Sequence, residues 1–276
     1  MHDWVEELNR DQRILDLGAA TGSLRGYNVS CLIVAVDSDR DAFVHAYKSE
    51  TTQHVYAEGE SLPFASESFD LVLCHHVLEH IENPCRTLAE ISRVLKSSGR
   101  FYVAVPHGYG LCDRVYRFVF DGGGHVNRFE KEALVKLVEN SVRVRLVAWQ
   151  NLYSSFSYLS RLPELSRDRS LQLSPRLRRI ARLPATLVLI FQSFLYFFTR
   201  VAGRVAAVDW PIYGWALYFQ RGSETALQQQ AAFINVCMYC GDGHPAESLS
   251  KRFLCFYRCP TCSRWSVYFP PQRDAL

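Results

Sequence analysis

An α/β fold with a doubly wound, Rossmann-like sheet of seven strands is predicted by three features of the chain. The stretch Ile14-Leu15-Asp16-Leu17-Gly18-Ala19-Ala20-Thr21-Gly22 ends a short apolar strand in an acid and then turns tightly through small residues. A second apolar strand, Val34-Ala35-Val36-Asp37, ends in another acid about 20 residues later, the spacing at which a ribose diol is held in nucleotide-binding sheets. Beyond these, apolar stretches bounded as covered parallel strands should be alternate with amphipathic helices.

Taken in order, residues 3–10 read as a lead helix, Ile14 to Leu17 and Leu32 to Val36 as the first two strands, and Leu24 to Asn28 as a short link between them. Asp39 to Lys48 reads as helix, and a third strand begins at Val55. Leu71 to Cys74 is the fourth strand. Leu88 to Leu95 has helical spacing and is closed by Ser97-Ser98-Gly99. Arg100 to Val105 is the fifth strand and stops at Pro106. Phe129 to Glu139 is helical, Val142 to Trp149 is the sixth strand, and Tyr213 to Gln220 closes the sheet after a long interruption.

Several runs together carry a family resemblance: Asp16 to Gly22, Asp37, Glu58-Gly59-Glu60-Ser61-Leu62-Pro63-Phe64, Ser68-Phe69-Asp70, Val77 to Pro84 and Glu90 to Arg100. In this order, over about residues 10–150, the chain resembles the class I S-adenosylmethionine (SAM)-dependent methyltransferases, specifically the group containing the ubiquinone and menaquinone biosynthesis methylases. The resemblance implies SAM as cofactor. Gly18, Ala20 and Gly22 would then line its methionine moiety and Asp16 would orient it. Asp37 would accept from the ribose hydroxyls, and Glu58, followed by Gly59, would face the adenine. Two positions depart from the family pattern: Ala20 replaces the middle glycine of the loop, and Glu58 replaces an aspartate. A dehydrogenase-like dinucleotide site, or a fold without its ligand, is the competing reading.

The fourth strand runs into Cys74-His75-His76-Val77-Leu78-Glu79-His80. If a helix opens here, His76 and His80 share a face with Glu79 beside them. Either histidine could take a proton from an acceptor as it attacks the methyl group, so both are candidate catalytic residues. The H-x-x-E-H spacing also resembles the E-x-x-E-H of quinone-pathway O-methylases and of small-RNA 2′-O-methyltransferases, with His125 as a further ligand candidate. A divalent metal and a purely structural role for Glu79 and His80 both stay open. The Asn/Asp-Pro-Pro-aromatic motif of base N-methylases is missing after this strand, which disfavours N-methylation of adenine or cytosine.

Two regions lie outside this pattern. From Arg161 to Arg204 nine arginines face only Glu164 and Asp168, and the run Leu183 to Phe198 is almost wholly apolar. That run is shorter than the roughly 20 residues a spanning helix needs. It fits an element lying on an anionic membrane surface through 173–204, or a lid helix over the site. The second region is Cys237-Met238-Tyr239-Cys240, then 18 residues, then Cys259-Pro260-Thr261-Cys262. This is the spacing of a four-thiolate zinc ribbon, whose closed ligand set makes the ion structural. Strands are expected at Phe253 to Tyr257 and Trp265 to Phe269, with Cys255 in the ribbon core.

The 276 residues accommodate one large core and a small appendage. The expected division is a SAM-binding core at 1–152, a helical hydrophobic and basic insertion at 153–210, the last core strand at 211–222, a linker at 223–235 and the zinc ribbon at 236–270. The N-terminal residues have no basic and apolar leader pattern, so a cytoplasmic location is expected, peripheral on the inner face of a membrane. A net charge of +3 is too mild to imply nucleic acid by itself. The expected activity is methyl transfer to an O or C atom of a small-molecule or lipid-linked acceptor. An RNA methyltransferase using the ribbon's basic surface, and a catalytically silent scaffold, are the alternatives from other classes.

Overall fold

The protein is described by a computed structural model that covers residues 4–5, 7–20, 22–24, 29–45, 49–120, 124–160, 179–205, 209–222, 229–230, 234–240, 243–245, 248–249, 252–253 and 256–268. Residues 25–28 of the expected link, the arginine-rich 161–178 and Cys255 lie outside them, and of the expected lead helix only Trp4 and Val5 are described as helical.

The strands are β1 (Arg13–Leu17), β2 (Leu32–Asp37), β3 (Thr52–Tyr56), β4 (Phe69–His75), β5 (Leu95–Pro106), β6 (Arg145–Leu152) and β7 (Gly214–Gln220). With β8 (Gln229–Gln230) they form one sheet in the order β3-β2-β1-β4-β5-β7-β6-β8. The seven expected strands are present. The two-residue β8, within the stretch expected as linker, adds to the edge of β6 through Ala148↔Gln229 and Trp149↔Gln230. Parallel pairing of β1 with both β2 and β4 aligns Asp16 with Ala35 on one side and Leu73 on the other. The strand order reverses beside β1, and that is where such sheets open a crevice beyond their carboxyl ends.

Local chemistry moves several boundaries. Of the expected helix at Asp39–Lys48, residues 46–48 lie outside the described ones, and among the rest Asp41–His45 form a 3-10 turn. Helix α1 (Pro84–Val94) starts earlier than its apolar spacing suggests, because Asn83 caps it by accepting from the Arg86 N–H and Pro84 suits the first turn. Its buried stripe is Thr87, Leu88, Ile91 and Val94. The helix ends without the expected Ser97-Ser98-Gly99 stop: Leu95 is already extended and opens β5. Helices α2 (Leu111–Val119) and α3 (Lys131–Val142) follow, α3 closing on Arg143 in a left-handed conformation and delaying β6 to Arg145.

The chain divides into two compact units. The first comprises residues 1–106, 126–149 and 215–230 and holds most of the sheet. Its core is the apolar centre of the strands, including Ile14, Leu15, Leu71, Leu73, Phe101 and Phe219, all fully buried. Arg221 ties the end of β7 into this unit, donating to the carbonyls of Leu95, Ser92 and Val142.

The second unit comprises residues 107–125, 150–214 and 231–276. It contains α2, the helix α4 (Ala185–Val205) and the cysteine-rich segment with β9 (Ile234–Val236), β10 (Gly243–Pro245), β11 (Arg252–Phe253), β12 (Phe256–Arg258) and β13 (Trp265–Val267). β9 and β10 form a hairpin, and β11-β12-β13 form an antiparallel sheet. Helix α4 is built the wrong way round for a surface helix of a water-soluble domain. Gln192, Tyr196, Thr199 and Arg200 are buried on its inner side, whereas Leu187, Ile190, Phe191, Phe194, Phe198 and Val201 are exposed.

Most of the inner polar groups have partners, although Gln192 Oε1 has no hydrogen-bond partner among the described residues. Gln192 Nε2 donates to the Met238 carbonyl at 2.8 Å, and the Tyr196 hydroxyl donates to the Val236 carbonyl at 2.8 Å. The Arg200 guanidinium lies 3.5 Å from the Tyr196 ring centroid and donates to the Ser154 carbonyl. By length and composition alone, α4 is long and apolar enough to cross a membrane, although a third of its most apolar 18-residue window is buried in the protein.

Candidate functional site

In the first unit a cleft of about 560 Å³ opens beyond the strand ends, lined among others by Gly18, Asp37, Glu58, Gly59, His76 and His80. The turn after β1 is tight: Gly18 (φ 64°), Ala20 (φ 44°) and Gly22 (φ 108°) all adopt positive φ. Ala20 in that region carries a strain of roughly 1–2 kcal/mol that glycine would avoid. A Cβ on Gly18 would collide with the Val77 side chain, so only glycine lets the cleft floor form there.

Three acids are held in different ways. Asp37, at the end of β2, accepts from the Ala20 N–H at 2.8 Å with one oxygen and from the Asp39 N–H at 2.9 Å with the other. Its carboxylate is thereby fixed at the cleft wall with acceptor capacity to spare, which suits a vicinal diol. Asp16 is buried; one oxygen accepts from the Ser23 N–H, while Oδ1 has no hydrogen-bond partner among the described residues. Burial raises its pKa to about 6, with Ser23 pulling it down and the nearby Asp37 adding a smaller upward push. Asp16, Ala20 and Gly22 shape the turn rather than the cleft lining.

Glu58 and Gly59 stand on a loop pinned by α1. Glu90 accepts from the Leu62 N–H at 2.8 Å, and Arg93 donates to the carbonyls of Leu62 and Phe64 at 2.9 and 2.6 Å. A Cβ on Gly59 would press on the Thr87 methyl at 3.2 Å, which explains the glycine. Sequence reasoning did not single out Ser38, Ala57 and Thr87 as cleft residues; they carry no distinctive chemistry and are brought in by register alone.

No helix follows β4. His76 is left-handed (φ 57°) and residues 78–80 form a turn, so the shared helical face expected for His76 and His80 is not formed. The turn brings His76 Nδ1 to 3.3 Å from Glu79 Oε1 and closes with the His80 N–H donating to the Val77 carbonyl. Glu79 is buried, and its backbone carbonyl accepts from the N–H groups of Val126 and Asn127. His75 sits behind, Nδ1 3.3 Å from the Tyr102 hydroxyl, and burial together with His76 lowers its pKa to about 3. His75 is therefore neutral at physiological pH.

His125 belongs to the second unit. Its Nδ1 lies 2.8 Å from Asp113 Oδ1, and Arg117 pairs with the other oxygen at 2.6 Å. Burial pushes the Asp113 carboxyl up, but these hydrogen bonds outweigh it and hold it below the usual carboxylate range. The sequence singles out His125 as a ligand candidate but not its partners Asp113 and Arg117, which pair i, i+4 on α2.

The four cysteines converge. The sulfurs of Cys237, Cys240, Cys259 and Cys262 lie within 4.8 Å of one another, with Cys237–Cys262 at 3.7 Å and Cys240–Cys259 at 3.6 Å. A tetrahedral ion with bonds of about 2.3 Å sets sulfurs about 3.8 Å apart, whereas a disulfide needs about 2.05 Å. The donor set fits a metal and not a bond. His244 Nε2 lies 3.3 Å from Cys259 Sγ, a neighbour that the spacing of the cysteines alone did not reveal.

Comparison with known proteins agrees with this geometry. Residues 15–103 match the family model described as a methyltransferase domain. The chain is 30% identical over 160 residues to the uncharacterized methyltransferase YcgJ of Bacillus subtilis, covering 54% of this chain and 58% of that protein. It is 30% identical over 142 residues to the malonyl-[acyl-carrier protein] O-methyltransferase of Methylococcus capsulatus, covering 48% and 50%. It thus spans about half the length of the curated relatives it matches. Among solved structures, a Haemonchus contortus phosphoethanolamine N-methyltransferase 2 complex with S-adenosylhomocysteine aligns with TM-score 0.52 and 14% identity, covering 79% of this chain and 50% of that one. At such identity the likeness is one of fold.

Proposed function

We propose that this chain, whose residues 15–103 match the family model described as a methyltransferase domain, is a class I SAM-dependent methyltransferase that transfers the methyl group of SAM to an O or C atom of a small-molecule or lipid-linked acceptor. The observation that carries the reading is the cleft at the reversal of the strand order, where Asp37, Glu58 and the Gly18 turn meet. When bound, the cofactor supplies an electrophilic methyl group on a sulfonium. The Asp37 carboxylate, already oriented by two backbone N–H groups, would accept from the ribose. The pinned loop would present Glu58 and Gly59 to the adenine. Asp16, with one buried oxygen lacking a donor, would orient the methionine end through the turn formed by Gly18, Ala20 and Gly22.

His76 and His80 line the same cleft and are the proposed proton acceptors, His76 being steered by Glu79. The chemistry that proximity leaves undone is removal of the acceptor's proton. Cys237, Cys240, Cys259 and Cys262 would hold a structural Zn²⁺. The exposed apolar side of α4 supports residues 173–204 as a contact for an anionic membrane surface, consistent with a lipid-linked acceptor. Residues 1–152 and 211–222 would then be the SAM-binding core, 153–210 the acceptor-side insertion, 223–235 a linker and 236–270 the ribbon.

The test is calorimetric titration of zinc-replete protein with SAM and S-adenosylhomocysteine, followed by methyl labelling of a lysate split into small-molecule, lipid, RNA and protein fractions. Label is expected in the lipid or small-molecule fraction. Asp37→Ala should abolish both binding and labelling, while His76→Ala or His80→Ala should slow labelling with binding intact. Wild-type protein without affinity for either nucleoside would refute the assignment.

A further inference from the structure

The second unit contains a pocket of about 300 Å³, at the lower end of the roughly 300–1,000 Å³ of small-ligand sites. Most of its wall comes from two helices, completed by Leu159, Ile180 and Leu183. Helix α2 contributes Arg114, Val119 and the exposed Phe118, and α4 contributes Val188 and the exposed Leu187 and Phe191. Val119 and Val188 belong to the buried apolar cluster beneath, so the floor is well packed and not a gap between mobile side chains. Among the described lining residues the only charged one is Arg114. It is exposed and has no carboxylate within ion-pair distance among the described residues.

Each feature narrows the ligand. An apolar lining without polar groups recognises hydrocarbon and offers nothing to a sugar, base or peptide backbone. The guanidinium of Arg114, the one charged group among the described lining residues, selects an anion at one end of the molecule. The exposed apolar residues of α4 continue away from the pocket through Phe194, Phe198 and Val201, so a chain longer than the pocket would still find apolar surface. We infer that this pocket binds the hydrocarbon chain of a single-chain fatty carboxylate, with Arg114 pairing its head group. The site lies wholly in the second unit, and the inference stands whether or not the first unit transfers a methyl group.

The test uses the full, zinc-replete chain and dodecanoate below its aggregation concentration, followed by isothermal titration calorimetry. Saturable binding of one equivalent is expected, with acetate and dodecyltrimethylammonium binding at least about tenfold more weakly. Arg114→Glu should weaken dodecanoate about tenfold, since it removes an attraction and adds a repulsion. Leu187→Asp and Phe191→Asp place a charge in the lining at exposed positions, and should abolish binding while circular dichroism stays unchanged. Failure of the wild type to saturate, equal affinity for the ammonium amphiphile, or indifference to the Arg114 and lining substitutions would overturn the inference. So would binding only to anionic vesicles, which would mean an interfacial helix and no chain site.

Discussion

Asp16 illustrates how a single side chain links site and stability. Its carboxyl ordinarily titrates near 3.8 but is lifted to about 6, chiefly by burial. Between those values the folded protein holds a proton that the unfolded chain has released. Stability therefore falls as pH rises from about 4 to 6, and the ionised acid remains a burden above that. Two pKa units correspond to roughly 3 kcal/mol as an upper bound. Asp16→Asn copies the neutral form, so it is expected to stabilise the protein against urea at pH 8 by up to that amount and to be near neutral at pH 4. If Asp16 orients the methionine end of SAM as proposed, the same substitution should weaken SAM binding at pH 8. A stability difference that stays constant between the two pH values would contradict the burial argument.

The strand-end acids were legible from sequence because their meaning is local: an apolar run, an acid and a small-residue turn repeat within a few positions. His76 was not. Whether residues after a strand enter a helix depends on one φ angle, and at His76 that angle is positive, with Glu79 Oε1 3.3 Å from its Nδ1. The helical spacing of His76 and His80 was real in sequence and irrelevant in space.

At the scale of the element, α4 carries the lesson. Sequence showed an apolar run of about 16 residues; the structure extends it to a 21-residue helix. Its polar residues are spaced 192, 196, 199, 200, a clear helical face that reads naturally as the solvent side. It is buried because the complementary carbonyls of Val236 and Met238 belong to a segment some 40 residues away, which no local pattern announces. Gln192→Leu keeps the volume but leaves the Met238 carbonyl without its donor, a cost of about 1–3 kcal/mol. Met238 lies between Cys237 and Cys240, so the variant should also lose zinc to a chromogenic chelator faster than wild type. Unchanged urea stability and unchanged release would show that the α4 hydrogen bond is dispensable.

Charge decides between partners for the molecule as a whole. The chain carries 31 basic and 28 acidic residues, yet nine arginines and only two acids fall within 161–204, leaving the remainder at a net charge of −4. A protein that reads RNA spreads its cations along the path of the phosphates, and its affinity falls steeply with salt because each contact releases counterions. Here the excess of cations falls within one segment of the sequence, and α4, which that segment contains, exposes an apolar side whose burial is indifferent to ionic strength. Binding to vesicles containing anionic lipid should therefore weaken but persist at about 0.5 M salt, well beyond the screening of isolated charges. Retention of a structureless RNA oligonucleotide should vanish over the same range. Flotation of the protein with vesicles and fluorescence anisotropy with RNA, run across one salt series, distinguish the two. Vesicle binding that disappears in step with RNA binding would mean that arginines alone hold the surface and that the apolar side of α4 serves another purpose.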